Sequence, residues 1–205
     1  MKKLYTIIAI IAMSINANAQ WVNQVSGVTG DLSDVFFVNS QVGYASTTMI
    51  GENYLLKTTN GGTTWNQLGG ASNQAYGIYF TSVDTGYLAK STIVYKTTNG
   101  GTTWTGSTAA GTSLMLGICF PSPSIGYCVG ANGSAQGVAF KTIDAGGTWN
   151  PISPINFTHR SVSFPSIDTG YVVGNSGDIQ RTVDGGSTWT TQFFLLAQFH
   201  QKERM

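Results

Sequence analysis

Charge is scarce in this chain: Lys and Arg number 10 and Asp and Glu 9, together 9% of 205 residues. No basic face is available to attract nucleic acid or an anionic membrane surface. Glutamate occurs only at Glu52 and Glu203, and arginine only at Arg160, Arg181 and Arg204. A sialidase-type centre needs an arginine cluster for a substrate carboxylate and a Tyr nucleophile paired with Glu, and these few residues do not assemble one. Histidine appears twice, at His159 and His200, one just before an expected strand and the other near the C-terminus. Two separated histidines make a poor metal site and read better as surface residues. The patterns H-E-x-x-H, G-x-x-x-x-G-K-[ST] and G-x-S-x-G are absent, which removes the commonest compact hydrolase and nucleotide signatures. No catalytic residue, metal or cofactor is therefore expected.

Long apolar runs are also lacking beyond the start of the chain. There, Lys2 and Lys3 precede an apolar stretch from Ile7 to Met13, and Ala17-Asn18-Ala19 leads into Gln20. That three-part pattern predicts a secretory signal peptide over residues 1–19, since the apolar run is well short of the ~20 residues a spanning helix requires. Export is expected, to the periplasm, the cell surface or the medium, with no membrane span in the mature chain. Removing 19 residues leaves 186, with 8 basic and 9 acidic side chains, enough chain for one domain with a sizeable core.

What the chain has in quantity is a repeat. The pattern T-x-[D/N]-x-G-x-T-W occurs four times, at 58–65, 97–104, 142–149 and 182–189, with tryptophans 39, 45 and 40 residues apart. A second landmark, Phe followed six residues later by Gly-Tyr, keeps step with it: Phe37 with Gly43-Tyr44, Phe80 with Gly86-Tyr87, Phe120 with Gly126-Tyr127 and Phe164 with Gly170-Tyr171. Short apolar runs before each Phe, after each Gly-Tyr and before each Thr read as three strands, and the Trp opens a fourth. Four strands every ~40 residues predict the antiparallel blade of an all-β propeller, whose sheet faces are covered by neighbouring blades. The blades are expected at about 34–68, 76–107, 115–152 and 159–192, within repeats spanning 20–192.

Within each motif Asn60, Asn99, Asp144 and Asp184 are positioned to accept backbone N–H groups in a turn, while Gly62, Gly101, Gly146 and Gly186 supply positive φ. Trp65, Trp104, Trp149 and Trp189 offer apolar faces to the joints between blades. As turn formers repeated in every blade, the Asn and Asp residues read as structural and not as paired catalytic carboxylates. These residues resemble the Asp-box, or BNR, repeat, and the added Phe and Gly-Tyr landmark looks most like the photosystem II stability and assembly factor family. The resemblance covers residues 21 to about 192. It implies the propeller fold and leaves activity open, because Asp-box propellers include sialidases, other glycan-degrading enzymes, assembly chaperones and surface proteins.

Three further features remain. Lys57, Lys96, Lys141 and Arg181 each stand immediately before a motif, either meeting an acidic partner or laying their methylenes over the sheet. Cys119 and Cys128 flank the Phe120 to Tyr127 hairpin. If Phe pairs with Tyr across it, the two cysteines face each other, which predicts an intrachain disulfide in an exported protein, with two buried free thiols as the alternative.

Finally, Trp21 to Val25 looks like an outer strand with no motif ahead of it, while the fourth repeat already has its own outer strand at Trp189. The tail 193–205 lacks both landmarks, reading either as a diverged capping strand or helix or as the end of a chain cut short from a longer parent. An incomplete ring follows, with self-association through its open end. The functional expectation is a non-catalytic exported binding or scaffold domain for a protein or glycan partner, against the alternatives of a sialidase-type glycoside hydrolase or a non-functional fragment.

Overall fold

A computed structural model describes residues 22–47, 55–68, 75–155 and 157–192. Trp21, Glu52, His200, Glu203, Arg204, the leader and the tail 193–205 lie outside the described residues. Among the described residues, sixteen strands form four separate four-stranded antiparallel sheets, each with its strands in sequence order. Blade I contains β1 (Leu32–Phe37), β2 (Gly43–Thr47), β3 (Leu55–Thr58) and β4 (Asn66–Leu68). Blade II contains β5 (Gly77–Phe80), β6 (Gly86–Lys90), β7 (Ile93–Thr97) and β8 (Thr105–Thr108). Blade III comprises β9 (Leu114–Cys119), β10 (Gly126–Ala131), β11 (Gly137–Thr142) and β12 (Asn150–Ile155), and blade IV β13 (His159–Ser163), β14 (Gly170–Gly174), β15 (Ile179–Thr182) and β16 (Thr190–Thr191). Each outer strand begins one residue after its Trp. The sheets stack as propeller blades, and among the described residues the ring does not close.

Each sheet has two faces because successive side chains alternate. Tyr44 and Leu55 of blade I meet Ile78, Phe80 and Leu88 of blade II. The other face of blade II carries Tyr87, Ala89 and Val94, which meet Ile118, Phe120, Cys128 and Phe140 of blade III. Blade III in turn presents Cys119, Tyr127, Val129 and Ala139 to Val162, Phe164 and Val172 of blade IV. A blade alone would leave both faces wet, so the core consists of these three joints.

The register explains the Phe and Gly-Tyr landmark and corrects one expectation. Phe37 pairs with Gly43, and Phe80 with Gly86, instead of with the following tyrosines. Each Phe ring lies across its glycine: a Cβ on Gly43, Gly86, Gly126 or Gly170 would sit 2.7, 2.3, 2.5 or 2.4 Å from the ring of Phe37, Phe80, Phe120 or Phe164. The glycine is therefore required by a close approach across the sheet. In blade III the same register sets Cys119 opposite Tyr127 and Cys128 opposite Ile118. A one-residue slip moves a side chain to the other face of a sheet, so Cys119 faces blade IV and Cys128 faces blade II. The expected disulfide is not formed; both thiols are free and buried. Burial pushes the Cys119 thiol up to about 12 and raises Cys128 as well, making both poor nucleophiles.

Candidate functional site: the turns, the joints and the open face of blade I

The eight-residue turns are held by a repeated hydrogen-bond set. In the last, Thr182 Oγ1 donates to Asp184 Oδ1 (2.8 Å) and accepts from Gly186 N–H (2.9 Å). Thr188 donates its backbone N–H to Asp184 Oδ1 (2.9 Å) and its hydroxyl to Oδ2 (2.6 Å). Asp144 is bound in the same way by Thr142 and Thr148, and Asn60 and Asn99 take the equivalent role in blades I and II. Hydrogen bonds to the ionised form favour it. The Thr188 hydroxyl and N–H hold Asp184 at about 2, and the Thr148 N–H with the Thr142 and Thr148 hydroxyls does the same for Asp144. Gly62, Gly101, Gly146 and Gly186 have φ between 81° and 91°. These carboxylates are saturated by their own turns, which suits them to fixing a backbone and not to moving a proton.

The residue before each turn has a use that sequence alone did not reveal. Lys57 Nζ donates to Gly100 O (3.0 Å), Lys96 to Ala145 O (2.8 Å) and Lys141 to Gly185 O (3.0 Å). In each case the acceptor is a turn carbonyl of the next blade. The tyrosine opposite each lysine aims its hydroxyl at the same carbonyl, from Tyr44 to Gly100 (3.3 Å), Tyr87 to Ala145 (3.0 Å) and Tyr127 to Gly185 (3.1 Å). The ammonium also lies 5.2 to 5.8 Å from the tyrosine ring centre, within cation–π range. Tyr44, Tyr87 and Tyr127 stack on Phe80, Phe120 and Phe164 of the following blade at 3.7, 3.8 and 3.5 Å. Each of those Phe rings meets its own blade's Trp edge-on. The common acceptor lies three residues after the first Thr of every motif, a regularity that could have been read from the repeat.

At the two ends of the arc the joint is only half made. Tyr171 is 38% exposed, where its three counterparts are at most 1% exposed, and Phe37 is 43% exposed, where its counterparts are at most 8%. Arg181 pairs across the sheet with Tyr171 and is exposed.

Over the open face of blade I lies a cleft of about 390 Å³ lined by Gln24, Ser26, Leu32, Ser33, Asp34, Val35, Ala45, Leu56 and Trp65. Gln24 and Ser26 of this lining belong to the segment 22–30, which carries no strand. Gln24 nonetheless stands over Gly62 as Leu68 stands over Gly101 and Ile152 over Gly186. Each is the third residue after a Trp, so this segment occupies the place of an outer strand belonging to a preceding blade.

Two of the cleft's polar side chains, Asp34 and Ser33, are already engaged. Asp34 accepts N–H groups from Val35 (2.9 Å) and Ile78 (2.8 Å), and burial raises its carboxyl pKa. Ser33 donates to Ala75 O (2.8 Å). Among the described residues Asp34 is the one carboxylate in the lining, whereas glycoside hydrolysis ordinarily uses a pair.

Other residues singled out from the sequence lie apart from the cleft. Arg160 Nε donates to Asn175 Oδ1 (3.0 Å) at an exposed position. His159 is fully buried at the start of β13 and not on the surface as expected; its Nε2 meets Asp178 Oδ2 at 3.1 Å, and Gln180 Nε2 donates to the same oxygen.

No protein-family model matches this chain, and no curated protein matches it in sequence. Solved structures do resemble it. An ancestral GH74 enzyme has a TM-score of 0.66 at 19% identity, over 82% of this chain and 25% of that one. YCF48 from Cyanidioschyzon merolae has a TM-score of 0.58 at 17% identity, over 78% of this chain and 55% of that one. The computationally designed Ika4 protein has a TM-score of 0.59 at 10% identity, over 81% of this chain and 99% of that one. The chain thus spans a quarter of the GH74 enzyme and just over half of the YCF48 protein. At these identities the likeness is one of fold, and the fold is a β-propeller.

Proposed function

We propose that this chain is a non-catalytic, exported binding or scaffold propeller of the Asp-box type, whose open blade I face receives a protein partner. The observation that carries the reading is the cleft beside Val35. Its lining is largely apolar, and the Asp34 carboxylate and Ser33 hydroxyl are spent on the fold, so an apolar protein segment suits it better than a hydroxyl-rich glycan, which needs free donors and acceptors. Residues 1–19 act as the export leader. The lone carboxylate of the cleft and the saturated turn aspartates argue against glycoside hydrolysis.

The reading is tested by panning a displayed peptide library against the exported chain and titrating the selected peptides into the original protein and Val35→Asp. Val35 is 59% exposed, so the substitution leaves the core untouched while placing a charge in the cleft. Apolar peptides bound by the original and lost in the variant are the expected result. Hydrolysis of a fluorogenic sialoside or of xyloglucan, abolished by Arg160→Ala or Asp34→Asn, would replace this reading with an enzymatic one.

A further inference from the structure

We infer that the occupant of the open blade I face is blade IV of a second copy of this chain, seated by the same joint that already connects the blades within one copy. This rests on the reading of that face as a protein-binding surface and names the partner. Three joints are built from one set of parts: a Tyr stacked on the next blade's Phe, and a Tyr hydroxyl and Lys ammonium converging on a turn carbonyl of that blade. Both halves of a fourth joint stand exposed in this chain, one on blade IV and one on blade I. Blade IV supplies Tyr171 and, directly across the sheet, Arg181, whose guanidinium replaces the lysine as donor. Blade I supplies the exposed Phe37 ring, held edge-on to Trp65 at 5.9 Å. Its turn carbonyl at Gly61 stands three residues after Thr58, as Gly100, Ala145 and Gly185 stand after Thr97, Thr142 and Thr182.

Apolar side chains left exposed around these halves agree with this pairing. On the blade IV side Val173 and Ile179 are 40% and 43% exposed, and on the blade I side Leu32 and Val35 are 47% and 59% exposed. Such faces favour association, and here each meets a face whose covered version the chain displays three times. Joining unlike ends is a heterologous contact, which closes only if the rotations sum to a full turn. The four described blades of each of two copies make eight, within the range of about four to eight that propellers use, so a closed pair with two identical joints is the assembly expected. The ends overlap only in the outer strand. Val22 to Val25 of one copy occupies the slot that β16 of the other would fill, and β16, two residues long with both side chains exposed, yields to it.

The test is sedimentation of residues 20–205 over a range of concentrations, with Val35→Asp blocking one end and Tyr171→Arg blocking the other. The original chain should form a dimer, and Tyr171→Arg should raise the dissociation constant at least about thirtyfold, as loss of a central aromatic contact does. Tyr171→Phe keeps the ring and should still associate. Each blocked variant alone should be monomeric, and mixing the two, each carrying a fluorophore, should restore two-chain energy transfer through the one intact joint. Cooperative thermal melts of the variants that match the original chain at a concentration where it too is dissociated exclude unfolding. A chain monomeric at every concentration, association indifferent to either block, or no energy transfer on mixing overturns the inference. In those cases, library peptides that still bind through Val35 leave the protein-binding reading standing; if they too fail to bind, both fall.

Discussion

The rings of Tyr127 and Phe164 stack at 3.5 Å and 4° across the joint between blades III and IV. The Tyr127 hydroxyl continues past the ring to Ile167 O and Gly185 O, each at 3.1 Å, so one side chain supplies apolar contact and a backbone anchor. Tyr127→Phe keeps the stack and leaves the blade IV carbonyls one donor short. It should cost about 1–2 kcal/mol, while Tyr127→Ala should cost about 3–5 kcal/mol. Tyr171→Phe, the same change in the same local sequence, should fall within about 0.5 kcal/mol in a dilute sample, because Tyr171 is 38% exposed and not covered as Tyr127 is. Urea denaturation of the three variants measures the contrast.

The repeat made the blades legible because period and turn chemistry are local in sequence. Thr182, Asp184, Gly186 and Thr188 contact one another within seven residues, so their roles follow from spacing alone. The joint was not legible in the same way. Lys141 and Gly185 are 44 residues apart, and only the stacking angle of blades brings them together. The cysteines mark the same boundary: both lie on adjacent strands as expected, yet pairing Phe with Tyr would set them opposite each other on one face, whereas pairing Phe with Gly shifts the register by one and puts the two thiols on opposite faces of the sheet. The information that decides it is the Phe ring lying over the glycine, a tertiary contact. His159 was misread for a related reason, since Asp178, which accompanies its burial, arrives from a loop after the next strand.

That ring contact yields a second test. Gly126→Ala would place a methyl group 2.5 Å from the Phe120 ring, inside a core where the ring is held by Tyr87 at 3.8 Å and Trp149 edge-on. The strand or the ring must move, at a cost of about 1–3 kcal/mol. Gly133→Ala, where a Cβ meets nothing within 4 Å, is the control and should change stability by less than about 0.5 kcal/mol. Equal effects of the two would mean that the landmark glycine is not there for the ring.

The third turn holds a residue in the wrong conformation for its type. Ala145 has φ of 57°, at the position where Gly61, Gly100 and Gly185 have 67°, 64° and 66°. A left-handed alanine costs about 1–2 kcal/mol, partly offset by the smaller entropy that alanine loses on folding. Ala145→Gly should stabilise the chain by about 0.5–1 kcal/mol, and Gly185→Ala should destabilise it. The Gly185→Ala methyl would also stand 2.9 Å from Lys141 Nζ, pressing on the joint. Thermal melts of the two single variants decide the sign.

Acid should act on the fold in two stages with different causes. Burial lowers the His159 pKa below its ordinary 6.5, against the opposing pull of Asp178. The unfolded chain therefore binds a proton more readily than the folded one, and stability, fully present above about pH 6.5, declines as pH falls from there toward the lowered folded value. Asp144 and Asp184, held at about 2 against an ordinary 3.8, contribute stability above 3.8 that is lost between about pH 4 and pH 2. Denaturation midpoints measured from pH 8 to pH 2 should show both declines. His159→Gln should flatten the upper one and leave the lower, whereas Asp184→Asn should weaken the lower alone. An upper decline that survives His159→Gln would assign it to another group and remove the buried histidine from the account of pH sensitivity.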